Sequence, residues 1–274
     1  MIHLITFASP RYESSRRRLV RSAHHLGQAR VWEFSPRQFR ATRFRADHRD
    51  IADTPRGAGL WLWKPYYIRE VMAEASDGDI IMYVDAGVEI IAPVEPLLAL
   101  LDVNRGVAMF RLHGLVNAQW TKRDCFVLMN CDRDEVVGAE QAMGTIVVFR
   151  KCALACELVA EWLRYACDRR IISDDDNVCG KPNYPGFRAH RHDQSILSNL
   201  RARFGLAAYC DPTQWGDAHR ASALRGVDDY RALFDHHRQR APSWRAALTL
   251  LVHDRRRFVA GVALHLRNTL RRRR

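Results

Sequence analysis

Lysine is nearly missing from this chain. Its 274 residues contain 43 Lys and Arg, yet lysine stands only at 64, 122, 151 and 181. Where arginine is the usual choice of cation, each lysine becomes a residue of somewhat greater interest, because the two are not interchangeable. Long apolar runs are missing too: none approaches the roughly 20 residues of a membrane-spanning helix. The opening Met1-Ile2-His3-Leu4-Ile5-Thr6-Phe7 has no basic leader and no long apolar stretch, so no secretory signal is expected. The seven cysteines, at 125, 131, 152, 156, 167, 179 and 210, are odd in number and form no C-x-x-C pair. A disulfide framework is not expected, and a reduced, cytoplasmic protein is. Cys152 and Cys156 read as core packing of a helix. There are no internal repeats and no RNA- or DNA-binding motif.

The composition is that of a globular protein, with 47% hydrophobic and 27% charged residues. A chain of this length buries roughly three quarters of its unfolded surface, enough for a large core. The net charge is +12, and residues 241–274 carry +8 of it, with nine Arg against one Asp.

The pattern along the chain is that of an α/β protein. Short apolar runs at Ile2–Ala8 and Arg30–Phe34 flank a basic amphipathic segment at 14–26, a β-α-β opening that favours parallel strands. Pro65 suits the first turn of a helix over 65–76. Residues 79–85 form the clearest strand, apolar enough to be covered on both faces. Helices are expected over 94–102, 121–129, 151–167 and 192–204, and strands over 106–112, 144–150 and 206–210. The polar stretch 169–189, with Asp174-Asp175-Asp176, reads as a long loop. The aspartate run looks metal-like, but a solvated loop is the better reading. Residues 243–270 carry an apolar stripe from Trp244 to Leu270 with arginines largely off it.

Three passages in order carry a resemblance. They are Gly59-Leu60-Trp61-Leu62-Trp63-Lys64-Pro65-Tyr66, then Gly78-Asp79-Ile80-Ile81-Met82-Tyr83-Val84-Asp85-Ala86-Gly87, then His190-Arg191-His192-Asp193-Gln194-Ser195. The chain resembles bacterial nucleotide-sugar glycosyltransferases of the GT-A fold, of the kind found in surface-polysaccharide loci, over about residues 1–240. The resemblance implies a Rossmann-like mixed sheet flanked by helices. It also implies transfer of a sugar from a nucleoside diphosphate to a glycan or lipid-linked acceptor hydroxyl, in polysaccharide, lipopolysaccharide or glycan assembly. Residues 1–240 would be the catalytic domain and 241–274 a basic amphipathic C-terminal helix. That helix would lie on an anionic membrane surface, on the cytoplasmic face, or else pack on the domain or pair with a second copy.

The same resemblance assigns residues. Asp85 stands where such enzymes carry D-x-D, a carboxylate pair that holds a divalent ion against the diphosphate. Here the second acid is replaced by Gly87, and Glu89 lies too far along to replace it. Asp85 therefore binds Mn²⁺ or Mg²⁺ with one carboxylate, holds the donor's ribose or sugar, or only caps a turn. His237, slightly preferred over His236, is the second metal candidate. Arg56 and Lys64 would neutralise the diphosphate, with helix amides nearby, and Trp63 would line the donor pocket; a solvated Lys64 and core tryptophans are the plain alternative. Thr6, Phe7, Gly87 and Gln194 complete the donor set. Asp193 is the catalytic candidate, as general base or donor-positioning group, or else a helix cap. Lys122, Arg123 and Asp124 are acceptor candidates, or an exposed helix start. Two other functions compete: a catalytically inactive GT-A-like scaffold, and a basic nucleic-acid-binding protein, against which the terminal clustering of charge argues.

Overall fold

The computed structural model describes residues 1–216 and 230–237. The segment 241–274, and with it the expected C-terminal helix, lies outside the described residues.

The strands, in chain order, are β1 (Ile2–Phe7), β2 (Ala29–Phe34), β3 (Ile80–Val84), β4 (Val88–Ile90), β5 (Val107–Ala108), β6 (Arg111–Val116), β7 (Glu140–Ala142), β8 (Ile146–Arg150) and β9 (Phe234–His236). Five of them form the central sheet in the order β2-β1-β3-β8-β5. β1 pairs in parallel with β2 and β3, while β8 runs antiparallel to both β3 and β5. The result is the mixed α/β sheet flanked by helices expected from the sequence. Two short ribbons, β4-β9 and β6-β7, stand beside it.

Strand side chains alternate between two cores. Ile5, Ile81, Tyr83, Val147 and Phe149 face a core covered by the helices Trp63–Glu74, Ala153–Ala166 and Asp193–Arg203. Leu4, Met82, Val84, Ile146 and Val148 face the other core, covered by the helices Glu13–Ser22 and Glu95–Val103. Burial on both faces explains why β3 reads as an unbroken apolar run rather than an alternating one. Each fully buried Leu, Ile or Phe contributes about 1.5–3 kcal/mol.

Several boundaries differ from expectation for local reasons. The helix expected from Pro65 begins at Trp63, so Pro65 sits in the first turn, where its missing N–H would have had no partner. The segment expected as one helix over 14–26 ends at Ser22 and tightens into a 3₁₀ turn over Ala23–Leu26, closed by Gly27 at φ 66°. The strand expected over 206–210 is a single bridge between Tyr209 and Phe110. The loop 169–189 opens with a helical turn, Arg169–Ile172. All seven cysteines are free thiols, with Cys152 and Cys156 half-buried against the core. Among the described residues no helix is long and apolar enough to cross a membrane.

Candidate active site

The parallel strands β1 and β3 end side by side, and the chain leaving them walls a cavity of about 440 Å³. Such strand ends are where open α/β sheets receive ligands. Phe7 and Ser9 come from the end of β1, and Asp85, Ala86 and Gly87 from the end of β3. Arg11, Tyr12, Trp61, Trp63 and His236 complete most of the lining. Phe7 stacks on Trp63 with ring centroids 3.7 Å apart and planes 10° apart. Thr6 is fully buried and does not line the cavity, and its hydroxyl has no hydrogen-bond partner among the described residues.

Beside the cavity lies a buried charge cluster. Lys64 Nζ is 2.9 Å from Asp193 Oδ2 and 3.7 Å from Asp85 Oδ1, and it donates to the Gly144 carbonyl at 2.9 Å. Lys64 and Asp193 are 3% and 4% exposed. Asp85 also accepts the Tyr83 hydroxyl at 2.5 Å. Burial pulls the Lys64 ammonium down, but the carboxylates of Asp193 and Asp85 outweigh it and hold its pKa above the usual lysine value. Burial pushes the Asp193 carboxyl up against the pull of Lys64. Burial, with Asp85 beside it, drives the Tyr83 phenol well up, so it remains a donor.

One ammonium with two carboxylates leaves this cluster at net −1. The solvated Lys64 of the plain alternative is not what the structure shows, since the residue is buried. Its ammonium donates to the Gly144 carbonyl and pairs with both carboxylates, so it balances part of their charge. It also does not precede the helix but sits in its first turn.

Two strained segments hold the cluster in place. Gly57, Ala58, Gly59, Leu60 and Trp61 all have positive φ, from 53° to 98°, making a left-handed turn. Such a turn costs about 1–2 kcal/mol for each residue other than glycine. It is locked by the Trp63 indole, which donates to the Gly57 carbonyl at 2.8 Å. Across from it, His192 has φ 50° and ψ −121°, and its ring stacks 5.2 Å from Trp61. His192 occupies the cap position, so Asp193 is the first helical residue rather than the cap. The Trp162 indole donates to the Asp193 carbonyl at 3.0 Å and fixes its backbone. Unfavourable backbone held in place by its surroundings is characteristic of functional sites.

The remaining expected residues are placed as follows. Gln194 is half-buried, and its amide nitrogen donates to Gln141 Oε1 at 2.6 Å. Arg56 is exposed and pairs with Asp174 at 3.0 Å, outside the cavity lining. Asp174 also lies 3.5 Å from His192 Nε2, while Asp175 pairs with Arg169.

The backbone N–H of His237 donates to the Gly87 carbonyl at 2.8 Å, two residues from Asp85. The β4-β9 pairing sets Glu89 opposite Asp235, and Glu89, Asp235 and His237 have ligand atoms within 4.8 Å of one another. Glu89, set aside on sequence spacing, is thus the acid that joins His237, because strand pairing rather than distance along the chain decides proximity. Both His237 ring nitrogens are buried without a hydrogen-bond partner among the described residues. Burial, with Arg18 nearby, lowers the His237 pKa and keeps the ring neutral, as a metal ligand must be. Arg18 Nε donates to Glu89 Oε2 at 2.6 Å. Two carboxylates and an imidazole form a donor set that suits Mn²⁺.

Lys122 and Asp124, expected at an acceptor surface, are 2% and 0% exposed. Asp124 accepts the backbone N–H groups of Val178 and Cys179 at 2.9–3.0 Å, and Lys122 Nζ donates to the Asp175 carbonyl at 2.7 Å. Burial pushes the Asp124 carboxyl up, but those donors and Lys122 outweigh it and hold it below the usual carboxylate value. The backbone N–H of Arg123 donates to Asn183 Oδ1, and its guanidinium pairs with Asp132 at 2.9 Å. These three residues clamp the 173–192 loop.

The sequence reading weighed Trp61 as a core or pocket-lining indole and did not single out Tyr83, Gly144, Asp235, Arg11 or His192. Only the G-x-G ahead of Trp61 signals the unusual turn.

No family model and no curated protein matches the chain. Solved structures do. Mouse xyloside xylosyltransferase 1, in its apo form, is 10% identical over 89% of this chain and 100% of its own, with a TM-score of 0.47. An active-site mutant of LgtC is 13% identical over 92% of this chain and 95% of its own, with a TM-score of 0.47. The bifunctional glycosyltransferase WbbM, also apo, is 14% identical over 73% of this chain and 37% of its own, with a TM-score of 0.43.

Proposed function

We propose that this chain is a glycosyltransferase of the GT-A type that moves a sugar from a nucleoside-diphosphate sugar to an acceptor hydroxyl. The observation that carries the reading is the Lys64–Asp85–Asp193 cluster beside an aromatic-walled cavity at the ends of β1 and β3. The cavity is within the usual range for a bound small molecule. Stacked rings along one wall suit a flat base or a sugar face, and the two carboxylates suit sugar hydroxyls, which they accept as hydrogen bonds.

In this reading the nucleotide enters along Phe7, Tyr12 and Trp63. Asp85 receives donor hydroxyls and is held in orientation by Tyr83 and Lys64. Asp193 meets the transferred sugar or takes the acceptor proton, with its carboxylate fixed by Lys64 and its backbone by Trp162. Arg11 lies in the cavity wall and supplies positive charge toward the diphosphate. Glu89, Asp235 and His237 would hold a divalent ion, which would neutralise charge on the leaving diphosphate. The residues 241–274 would add affinity for an anionic membrane surface through their net charge.

Binding of nucleoside diphosphates and their sugars, with and without Mn²⁺ or Mg²⁺, tests the reading. Stabilisation by one nucleotide family is expected, about 2.7 kcal/mol at 100 times Kd. Asp193→Asn is expected to keep nucleotide binding and lose transfer. Folded protein that binds no nucleotide would overturn the reading and favour the scaffold alternative.

A further inference from the structure

The loop clamped by Lys122, Arg123 and Asp124 carries charge of its own. Its backbone is pinned at Arg188, whose N–H donates to the Gln119 carbonyl at 2.8 Å, and at Arg191, whose N–H donates to the Trp120 carbonyl at 3.1 Å. The rings of His190 and His192 bond the Ile171 and Ile172 carbonyls at 2.9 and 2.8 Å. The loop is therefore ordered before any ligand arrives. Its two arginines gather on one aromatic ring: the guanidinium carbons of Arg191 and Arg188 lie 4.3 and 5.7 Å from the Trp120 ring centroid.

This group adjoins the catalytic candidate. Arg191 is two residues from Asp193, and the Trp120 carbonyl also accepts the Ser195 hydroxyl at 2.8 Å. Neither Trp120 nor either arginine lines the donor cavity. The neighbouring charges are already balanced, because Arg123 and Lys181 share Asp132 at 2.9 and 3.0 Å. Arg188 differs: it is exposed, and its guanidinium has no carboxylate partner among the described residues. A guanidinium pre-set against an aromatic face, with its donors open to solvent, is suited to a carboxylate or phosphate. The partly exposed indole is suited to the apolar face of a sugar ring.

We propose that Trp120, Arg188 and Arg191 form the acceptor subsite, and that the acceptor is a glycan bearing a negative charge, as a uronate or a phosphate. This rests on the glycosyltransferase reading above. It also gives Lys122 and Asp124 their part: they hold the loop that meets the acceptor.

The test uses the full chain and three oligosaccharides of equal length, one neutral, one ending in glucuronate and one ending in a sugar phosphate. Calorimetric titration is run on each with wild type, Arg188→Gln and Arg188→Lys, and nucleotide Kd is measured separately on all three proteins. The two anionic glycans are expected to bind roughly tenfold or more tighter than the neutral one, as a charge-assisted hydrogen bond would give. The preference should shrink with added salt, vanish in Arg188→Gln and survive in part in Arg188→Lys, with nucleotide Kd unchanged throughout. The relative strength of the glucuronate and phosphate arms names the charged group. Equal binding of all three glycans, no glycan binding, or an anionic preference that persists in Arg188→Gln would overturn the proposal. Loss of nucleotide binding in wild type would instead strike the reading beneath it.

Discussion

Replacing Lys64 with methionine keeps most of the packing of the side chain and removes its charge and its hydrogen bond to the Gly144 carbonyl. In the native protein the ammonium sits 2.9 Å from Asp193 and 3.7 Å from Asp85, nearly out of contact with water. At an effective dielectric constant of about 20, the shorter contact is worth on the order of 6 kcal/mol of gross attraction, most of it offset by the desolvation of both ions. Removing the cation alone loses the attraction and leaves the cost, because Asp193 stays buried with no counter-charge. Lys64→Met is therefore expected to lose about 3–5 kcal/mol, a large part of the stability of an ordinary domain. The double variant Lys64→Met with Asp193→Leu should recover most of that loss, since it buries no unpaired charge. Urea unfolding of wild type, both single variants and the double variant measures this as a cycle. The pH dependence has a definite sign. Without Lys64, burial raises the folded-state pKa of Asp193 further above its unfolded value. Stability is then present at low pH and lost as pH rises through that folded-state pKa, so the deficit of Lys64→Met should shrink in acid. A deficit below about 1 kcal/mol at neutral pH, typical of an exposed ion pair, would refute the reasoning.

Three further outcomes are expected. Gly59→Ala should destabilise by about 2–5 kcal/mol, because φ is +98° there and a Cβ would lie 2.9 Å from the Ala52 Cα; thermal unfolding reads it. Trp162→Phe removes the hydrogen bond to the Asp193 carbonyl and leaves a small void, so it should cost about 1–3 kcal/mol and lower kcat while nucleotide Kd holds. Burial and the neighbouring His192 and Lys122 hold the His190 pKa well below 6.5, so the unfolded chain takes a proton that the folded chain refuses. Stability is then present above that value and lost as pH falls below it, and denaturation at several pH values should give a flatter profile for His190→Gln, which cannot charge.

Much of the fold was legible because it rests on local periodicity. The unbroken apolar run of β3 and the stripe of the helix Ala153–Ala166 announce themselves, and the β-α-β opening fixes the parallel pairing of β1 and β2. The direction of β8 was not legible, because an apolar run says nothing about which way a strand points. Within the site, the motifs singled out Asp85, Lys64 and Asp193 one by one, and their meeting and mutual charge balance were not legible. Which side chain spends its charge on which is a tertiary property: Lys64 reads as a cation for a ligand, and only the structure brings two carboxylates to it. Glu89 shows the same limit, since its meeting with His237 depends on a strand 145 residues later. Lys122 and Asp124 looked like a surface charge run because sequence carries no direct record of burial, and a buried ion pair has the same letters as a solvated one.

The account stands most directly on the occupancy of the cavity between Phe7, Trp63 and Asp85. Calorimetric titration of nucleoside diphosphates and their sugars into wild type and Asp85→Asn measures it. The account predicts saturable binding of one nucleotide family, with the nucleotide alone bound equally by both proteins and the nucleotide sugar bound more weakly by Asp85→Asn. Folded protein that takes up no nucleotide, or an Asp85→Asn variant that binds every nucleotide sugar as wild type does, would contradict it.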